Sequence, residues 1–294
     1  MMLVSVIIPT YKRSGTLQRA IRCALNQTYK DIEVLVVDDN NPGDKYCLEL
    51  KKIIHEINSN KVRLITQDEH INGAKARNEG IVNAHGEYVA FLDDDDEWLS
   101  DKIEKQVDYL KINGHLSGCS VLYNEYKKGV LVHSCPVYTE DNIFQKIFRR
   151  EVAVFTSTVL LKRDCLIKSG MFDISLRRHQ DLQMLLRFTK EFKLGVLPEY
   201  LVKLHLDSTI NRPDADSIVK VKEDFFRSVK DLYDGCNKKD RSLIKSAHCY
   251  EVMFAALKQK KLLMCINYFL KAGFNIEGYR LLRKRIRDRK FIAK

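Results

Sequence analysis

With 294 residues, 45% of them apolar and 30% charged, the chain can bury a substantial core, which excludes global disorder and leaves room for one sizeable α/β domain plus an accessory element. No window approaches the roughly eighteen uninterrupted apolar residues of a transmembrane helix, and the opening MMLVSVIIPTY reads as a strand, not as a signal peptide. The net charge is +11, of which residues 280–294 contribute +7 through eight Lys/Arg and one Asp, leaving +4 for all that precedes; a basic end of this kind points to an anionic surface, membrane or nucleic acid.

Leu3–Ile8 is a short apolar run stopped by Pro9, as in a buried parallel strand. Ser14 is placed to cap a helix whose apolar positions, Leu17, Ala20, Ile21, Ala24 and Leu25, recur at helical spacing. Ile32–Val37 forms a second strand and runs into Asp38-Asp39-Asn40-Asn41-Pro42-Gly43, which is turn chemistry. A helix with Leu50, Ile53, Ile54 and Ile57 on one face follows, then a third strand at Val62–Ile65. Ala74–Ala84 reads as a helix closed by Gly86, and Tyr88–Leu92 as a fourth strand. Such alternation predicts an α/β fold: a Rossmann-like, open, mostly parallel sheet with helices on both faces. Val154–Leu161 is a further apolar run, rich in Thr and Ser, and Asp181 opens an amphipathic helix. From about Ser217 onward only helical periodicity remains, so the chain is expected to divide into an α/β domain, 1–215, and a helical segment, 216–294, that ends in the basic tail. The eight cysteines form no CxxC pair, which argues against zinc and fits buried thiols in a reducing cytoplasm.

In open α/β sheets ligands bind outside the carboxyl ends of the strands. Here those ends read Pro9-Thr10-Tyr11, Val37-Asp38-Asp39-Asn40 and Leu92-Asp93-Asp94-Asp95-Asp96. Four aspartates pressed against an apolar run are either a solvated acidic turn or a cation site. Asp93 and Asp95, two apart, can face the same side, and Mg²⁺ or Mn²⁺ is commonly held by one or two carboxylates plus substrate phosphates. A D-x-D pair of this kind suits a metal bridging the diphosphate of a nucleotide-sugar. No GxGxxG and no GxxxxGK[ST] occurs, which argues against NAD and against a P-loop ATPase.

Taken in order, SVIIPTY, VVDDN, NGAKARNEG, GEYVAFLDDDDEW and GMFD…RHQD resemble the successive motifs of family-two inverting glycosyltransferases with the GT-A fold, over about residues 3–205. The resemblance implies a metal-dependent enzyme, with Mn²⁺ or Mg²⁺ as cofactor, that moves a sugar from a UDP-sugar to a hydroxyl of a glycan acceptor in surface polysaccharide or glycoconjugate synthesis. It implies that Pro9, Thr10 and Tyr11 line uracil and ribose, and that Asp39 accepts from the uracil ring N–H, with Asp38 a turn or capping residue. Arg77 matches a position near the nucleotide, or is an exposed helix arginine. Asp95 is expected to contact the metal and Asp93 to serve ribose and metal shell, while Asp94 is counted with the nucleotide contacts. Asp96 and Trp98 match positions that shape the sugar pocket. Asp181 matches the catalytic base, although Gln180 stands where the family has Glu. A helix N-terminus favours an ionised carboxylate, which suits a base; the other reading of Asp181 is an N-cap. His205 matches a metal or phosphate contact in some relatives, or is a packed or surface histidine. Arg177 and Arg178 meet a phosphate or solvent.

Three other readings meet the same residues. A sugar-nucleotide pyrophosphorylase needs a Gly-rich loop after the first strand, which PTYKRSG lacks. A non-catalytic sugar-nucleotide-binding relative would be expected to lose Asp95 or Asp181. A nucleic-acid-binding protein would use the tail, but no recognised module is present, so no nucleic-acid partner is expected. The acceptor is expected to be lipid-linked. Leu281, Leu282, Ile286 and Phe291 sit among the tail's charges as in an interfacial helix meeting an anionic membrane from the cytoplasmic side; a solvated or homo-oligomer-forming helix is the alternative.

Overall fold

The computed structural model describes residues 2–206, 214–273 and 275–280. Its first half is the alternating unit expected from the sequence: β1 (Val4–Thr10), α1 (Ser14–Leu25), β2 (Ile32–Asp38), α2 (Lys45–Ile57), β3 (Val62–Thr66), α3 (Gly73–Asn83) and β4 (Tyr88–Phe91). The sheet order here is β3-β2-β1-β4 with every pairing parallel. All seven residues of β1 are buried, as a central strand covered on both faces requires. The strand runs on through Pro9 to Thr10, beyond the stop that the proline predicts. Pairing with β4 ends at Ile7↔Phe91, so at Pro9 only β2 remains alongside, and the missing N–H interrupts no second ladder. One cap differs from expectation, and another was not anticipated. Arg13, not Ser14, occupies the cap position of α1 and makes no side-chain cap bond. Asn72 caps α3 by accepting from the Ala74 and Lys75 N–H groups, a regular Asn cap. In α3, Gly80 lets the helix ride directly on β1: a Cβ there would lie 2.4 Å from Ile7 Cγ2.

The second half is mixed, not parallel. It comprises β5 (Glu97–Trp98), α4 (Lys102–Ile112), β6 (Gly118–Lys127), β7 (Val130–Ser134), α5 (Ile143–Phe148), β8 (Val159–Lys162), α6 (Arg163–Lys168), α7 (Gln180–Glu191) and β9 (Leu194–His205). The sheet continues as β4-β8-β6-β9-β5 with β7 on β6. β8 is antiparallel to both β4 and β6, whereas β6 and β9 pair in parallel with two register shifts. The apolar run at Val154–Leu161 thus splits into a 3₁₀ turn, Thr156–Thr158, and the start of β8.

Helices α8 (Ala215–Ser228), α9 (Lys230–Asp234), α10 (Lys238–Lys258) and α11 (Leu262–Ala272) follow. Phe225, Val229 and Ile244 belong to the same apolar cluster as the sheet. The Phe148 ring meets Phe225 and Tyr233 edge-on, Arg149 pairs with Asp240, and Arg150 Nε donates to Glu251 Oε1 at 3.1 Å. A smaller cluster of Tyr250, Met253 and Ala272 joins α11 to α10. No helix among the described residues is long and apolar enough to cross a membrane. The expectation for the tail falls on residues 281–294, outside the described residues.

Candidate functional site

Parallel register gathers the strand ends. Thr10 pairs with Asp38, and the Leu92 N–H bonds Ile7 O, so the acidic run leaves β4 alongside Pro9 and Thr10. A cleft of about 500 Å³ opens there, with Pro9, Thr10, Tyr11, Asp39, Arg77, Asp93, Asp94 and Asp95 all on its wall. Eight of the candidate residues read from the sequence therefore come together. Arg13, His70, Asn72 and Gly73 complete the lining and were not anticipated. Arg13 and His70 lie in the loops after β1 and β3, where the strand-end rule could have found them.

The aspartate run alternates. Asp93 and Asp95 keep side chains 34% and 19% exposed, while Asp94 and Asp96 are buried. The two buried acids are held neutral-leaning by their surroundings. Burial, with repulsion from Asp95 and Asp93, raises the Asp94 pKa to about 7, against the pull of Arg13 and the Thr10 hydroxyl. Burial and the neighbouring Asp93 push Asp96 well above the usual carboxylate range, against hydrogen bonds from the Ser157 hydroxyl and the His205 backbone. Thr10 Oγ1 donates to Asp94 Oδ2 at 2.8 Å and Ser157 Oγ to Asp96 Oδ2 at 2.6 Å. Asp96 and Trp98 are absent from the cleft wall. Trp98 is a core side chain whose Nε1 donates to Ser157 O at 2.8 Å.

Two arginines answer the charge. Arg13 bonds both Asp94, at 3.1 Å, and Asp95. Arg77 Nη2 lies 2.6 Å from Asp93 Oδ1. Burial works against the Arg77 cation, yet Asp93, Asp181 and Asp94 raise its pKa above the ordinary value. Its buried Nε has no hydrogen-bond partner among the described residues.

At the other end of the cleft Tyr11 and His70 stack, with centroids 3.8 Å apart and planes 8° from parallel. Asp39 lies beneath, its Oδ2 at 3.0 Å from His70 Nδ1 and its Oδ1 accepting from Gln67 Nε2 at 3.0 Å. Burial raises the Asp39 pKa, opposed by His70, the Ile71 N–H and Gln67. Asp38 instead serves the turn, accepting from the Asn40 N–H and side-chain amide at 3.0 and 2.7 Å.

Asp181 does not line the cleft, but its charge reaches Arg77 and also Arg150. It is not the N-cap: α7 begins at Gln180, and His179 occupies the cap position in a left-handed conformation, φ 61°, without a side-chain cap bond. His205 is likewise outside the cleft. Pairing of Glu97 with Lys203 draws the end of β9 toward β5, leaving the imidazole 3.5 Å from Glu97. Arg177 and Arg178 are exposed. Among the described residues no three His, Cys, Asp or Glu side chains converge as a metal cage. The hard carboxylate oxygens of Asp93 and Asp95 fit a cation that completes its shell with phosphates and water, as Mg²⁺ and Mn²⁺ do.

Residues 5–168 match the sequence profile described as Glycosyl transferase family 2. Over 210 residues the chain is 30% identical to the amylovoran biosynthesis glycosyltransferase AmsB of Erwinia amylovora, a match covering 69% of each protein. Over 111 residues it is 36% identical to the UDP-Glc:alpha-D-GlcNAc-diphosphoundecaprenol beta-1,3-glucosyltransferase WfaP of Escherichia coli, which covers 38% of this chain and 42% of that one, less than half its length. Among solved structures, the mannosyltransferase PcManGT from Pyrobaculum calidifontis, in complex with GDP-Man and Mn²⁺, superposes with a TM-score of 0.62 at 16% identity, over 97% of this chain and 79% of that one. At that identity the likeness speaks to the fold, which is GT-A.

Proposed function

The chain belongs to glycosyl transferase family 2, and from that premise we propose that it moves a sugar from a UDP-sugar to a hydroxyl of a glycan acceptor, with inversion, in polysaccharide biosynthesis. One observation carries the reading. The cleft offers a stacked Tyr11–His70 pair with Asp39 at one end and the Asp93–Asp95 run with Arg13 and Arg77 at the other. A flat aromatic wall with a buried acceptor suits a nucleobase, and arginines beside carboxylates suit a diphosphate with its metal.

In this reading Asp93 and Asp95 would hold a Mg²⁺ or Mn²⁺, which when bound offsets charge on the diphosphate. Arg13 and Arg77 exchange their carboxylate partners for phosphate oxygens and neutralise the leaving group. Asp181 takes the proton of the acceptor hydroxyl, an effect worth roughly 10²–10⁴-fold. As that oxygen bonds the anomeric carbon, the carbon–oxygen bond to the diphosphate breaks on the opposite face, and UDP departs with the electron pair. The name of the E. coli relative refers to a diphosphoundecaprenol acceptor, which favours a lipid-linked glycan here, met at the cytoplasmic face of a membrane that the basic end of the chain would touch.

The test is a thermal-shift and product-release screen of the full chain against UDP- and GDP-sugars, in Mn²⁺ and in EDTA. UDP is expected to stabilise the protein more in Mn²⁺, and Asp95→Ala to abolish both that difference and transfer while leaving the ligand-free melting temperature near wild type. Equal UDP affinity in EDTA overturns the role of Asp93 and Asp95. Preference for a GDP-sugar overturns the choice of donor.

A further inference from the structure

Helix α11 is apolar almost all round, with only Asn267 and Lys271 polar between Leu262 and Ala272. A helix of that kind needs burial on more than one side. One side has it: Cys265, Tyr268 and Ala272 pack against Tyr250 and Met253 of α10. The other does not. Leu262, Leu263, Ile266 and Leu270 are between 57% and 86% exposed, and at 100° per residue they share one arc of about 100°. Four large aliphatic side chains open on one contiguous face mark a contact surface.

Charge indicates what covers it. Residues 257–294 hold twelve Lys and Arg against two acids, so +10 of the net +11 lies in this last stretch. Lys258, Lys260, Lys271 and Arg280 are exposed at the ends of α11 and just beyond. A second copy docking through this face would bring the same excess of positive charge against itself, and the chain's own residues 281–294 are equally basic. An acidic lipid surface supplies both the opposite charge and a hydrocarbon layer.

We infer that α11 lies in the plane of an anionic bilayer, with Leu262, Leu263, Ile266 and Leu270 inserted among the acyl chains and the flanking lysines at the headgroups. Interfacial helices combine these two features. The inference rests on the proposed function only for its purpose, since a lipid-linked acceptor would be met on the same surface; the docking itself needs no acceptor.

The experiment sediments the full chain with vesicles of phosphatidylglycerol and phosphatidylcholine, and with phosphatidylcholine alone. It compares wild type with the double variant Leu263→Glu/Ile266→Glu. Wild type is expected to bind the anionic vesicles, and the variant to partition at least tenfold less with an unchanged melting temperature. Should the Glu pair fail to fold, Leu263→Ser/Ile266→Ser, which adds no charge, is expected to lose partition several-fold. Equal partition of a folded variant and wild type overturns the proposal, the basic residues then sufficing alone. So does a wild-type dimer in sedimentation velocity that the variant converts to monomer without any change in vesicle binding. Turnover of a UDP-sugar with a soluble acceptor is expected to be unchanged in the variant. Absence of such turnover in wild type counts against the enzymatic reading and leaves the vesicle result standing.

Discussion

Asp181 stands second in α7, behind a His179 that turns the chain in the left-handed region, and this position decides how its replacement should behave. As a first-turn carboxylate it interacts with the helix dipole, worth about 0.3–1 kcal/mol at an exposed end, and it makes no cap bond that Asn would have to reproduce. Asp181→Asn is therefore expected to lower the melting temperature only slightly and to leave donor affinity near wild type. Transfer should fall by roughly 10²-fold or more, because an amide cannot take the acceptor proton. Melting, donor binding and initial rates on one preparation check this, and near-normal turnover would move the base to another acid. At the far end of the cleft, Asp39 already accepts from Gln67 and His70, so it is a fixed acceptor and not a free one. Neutral cytosine turns a lone pair toward it where uracil has a ring N–H, and so forgoes a hydrogen bond to a charged group, worth about 1.5–3 kcal/mol. UDP should accordingly bind ten-fold or more tighter than CDP by calorimetry, and equal affinities would remove Asp39 from base recognition.

Helix α4 carries a lysine where its apolar face meets the sheet. Lys102 is fully buried, its Nζ 4.0 Å from the Trp98 ring centroid and bonded to Gln106 Oε1 at 2.6 Å. Burial lowers its pKa from 10.5 to about 7 against small opposing effects of Cys119 and Cys23. Between those two values the unfolded chain binds a proton that the folded chain does not, so stability rises with pH across that window, by at most about 1.4 kcal/mol per unit. The free energy of unfolding of wild type relative to Lys102→Met should therefore climb from pH 7 to 10 and be flat below 7. Denaturant titrations of both proteins at each pH test it, and parallel curves would show that Lys102 is already charged or hydrated. Nothing in the sequence announces this lysine as internal, because Lys102 follows a turn and opens a helix with an exposed flank. Strands differ in the same way. β1, β2 and β4 are buried on both faces, so they stand out as continuous apolar runs and were legible together with the acids at their ends. β6 and β9 were not: Asn124 and Glu125 interrupt one, Pro198 and Glu199 the other, and their pairing shifts register twice. Arg13 and His70 were missed for a related reason. Their roles come from partners in the loops after other strands, 31 to 82 positions away for the bonds and stack they make, and no local pattern encodes such a distance.

For the whole molecule, the division expected near residue 215 follows the change of sequence pattern, and we propose that it is not a boundary between folding units. Phe148 and Phe225 are fully buried against each other, His248 Nε2 lies 3.1 Å from Phe148 O, and Glu251 of α10 holds Arg150, the same arginine that feels the charge of Asp181. Each buried aromatic truncated to Ala costs about 3–5 kcal/mol, and a domain's net stability is only about 5–15 kcal/mol. Removing α8 to α10 strips several such contacts at once. A chain ending at residue 215 is thus expected to aggregate or melt without cooperativity. Deleting residues 280–294 removes eight basic residues worth about 1 kcal/mol each beside an anionic surface, so binding to phosphatidylglycerol vesicles should weaken while the melting temperature and turnover of a soluble acceptor stay near wild type. Calorimetry, sedimentation and initial rates on the two truncations separate the cases. If the 1–215 chain melts cooperatively and keeps its UDP-dependent shift, the helices are an independent appendage and Glu251 has no part in holding the site. If the shorter deletion already unfolds the protein, the basic end is structural, and its excess of charge must be answered from within the fold.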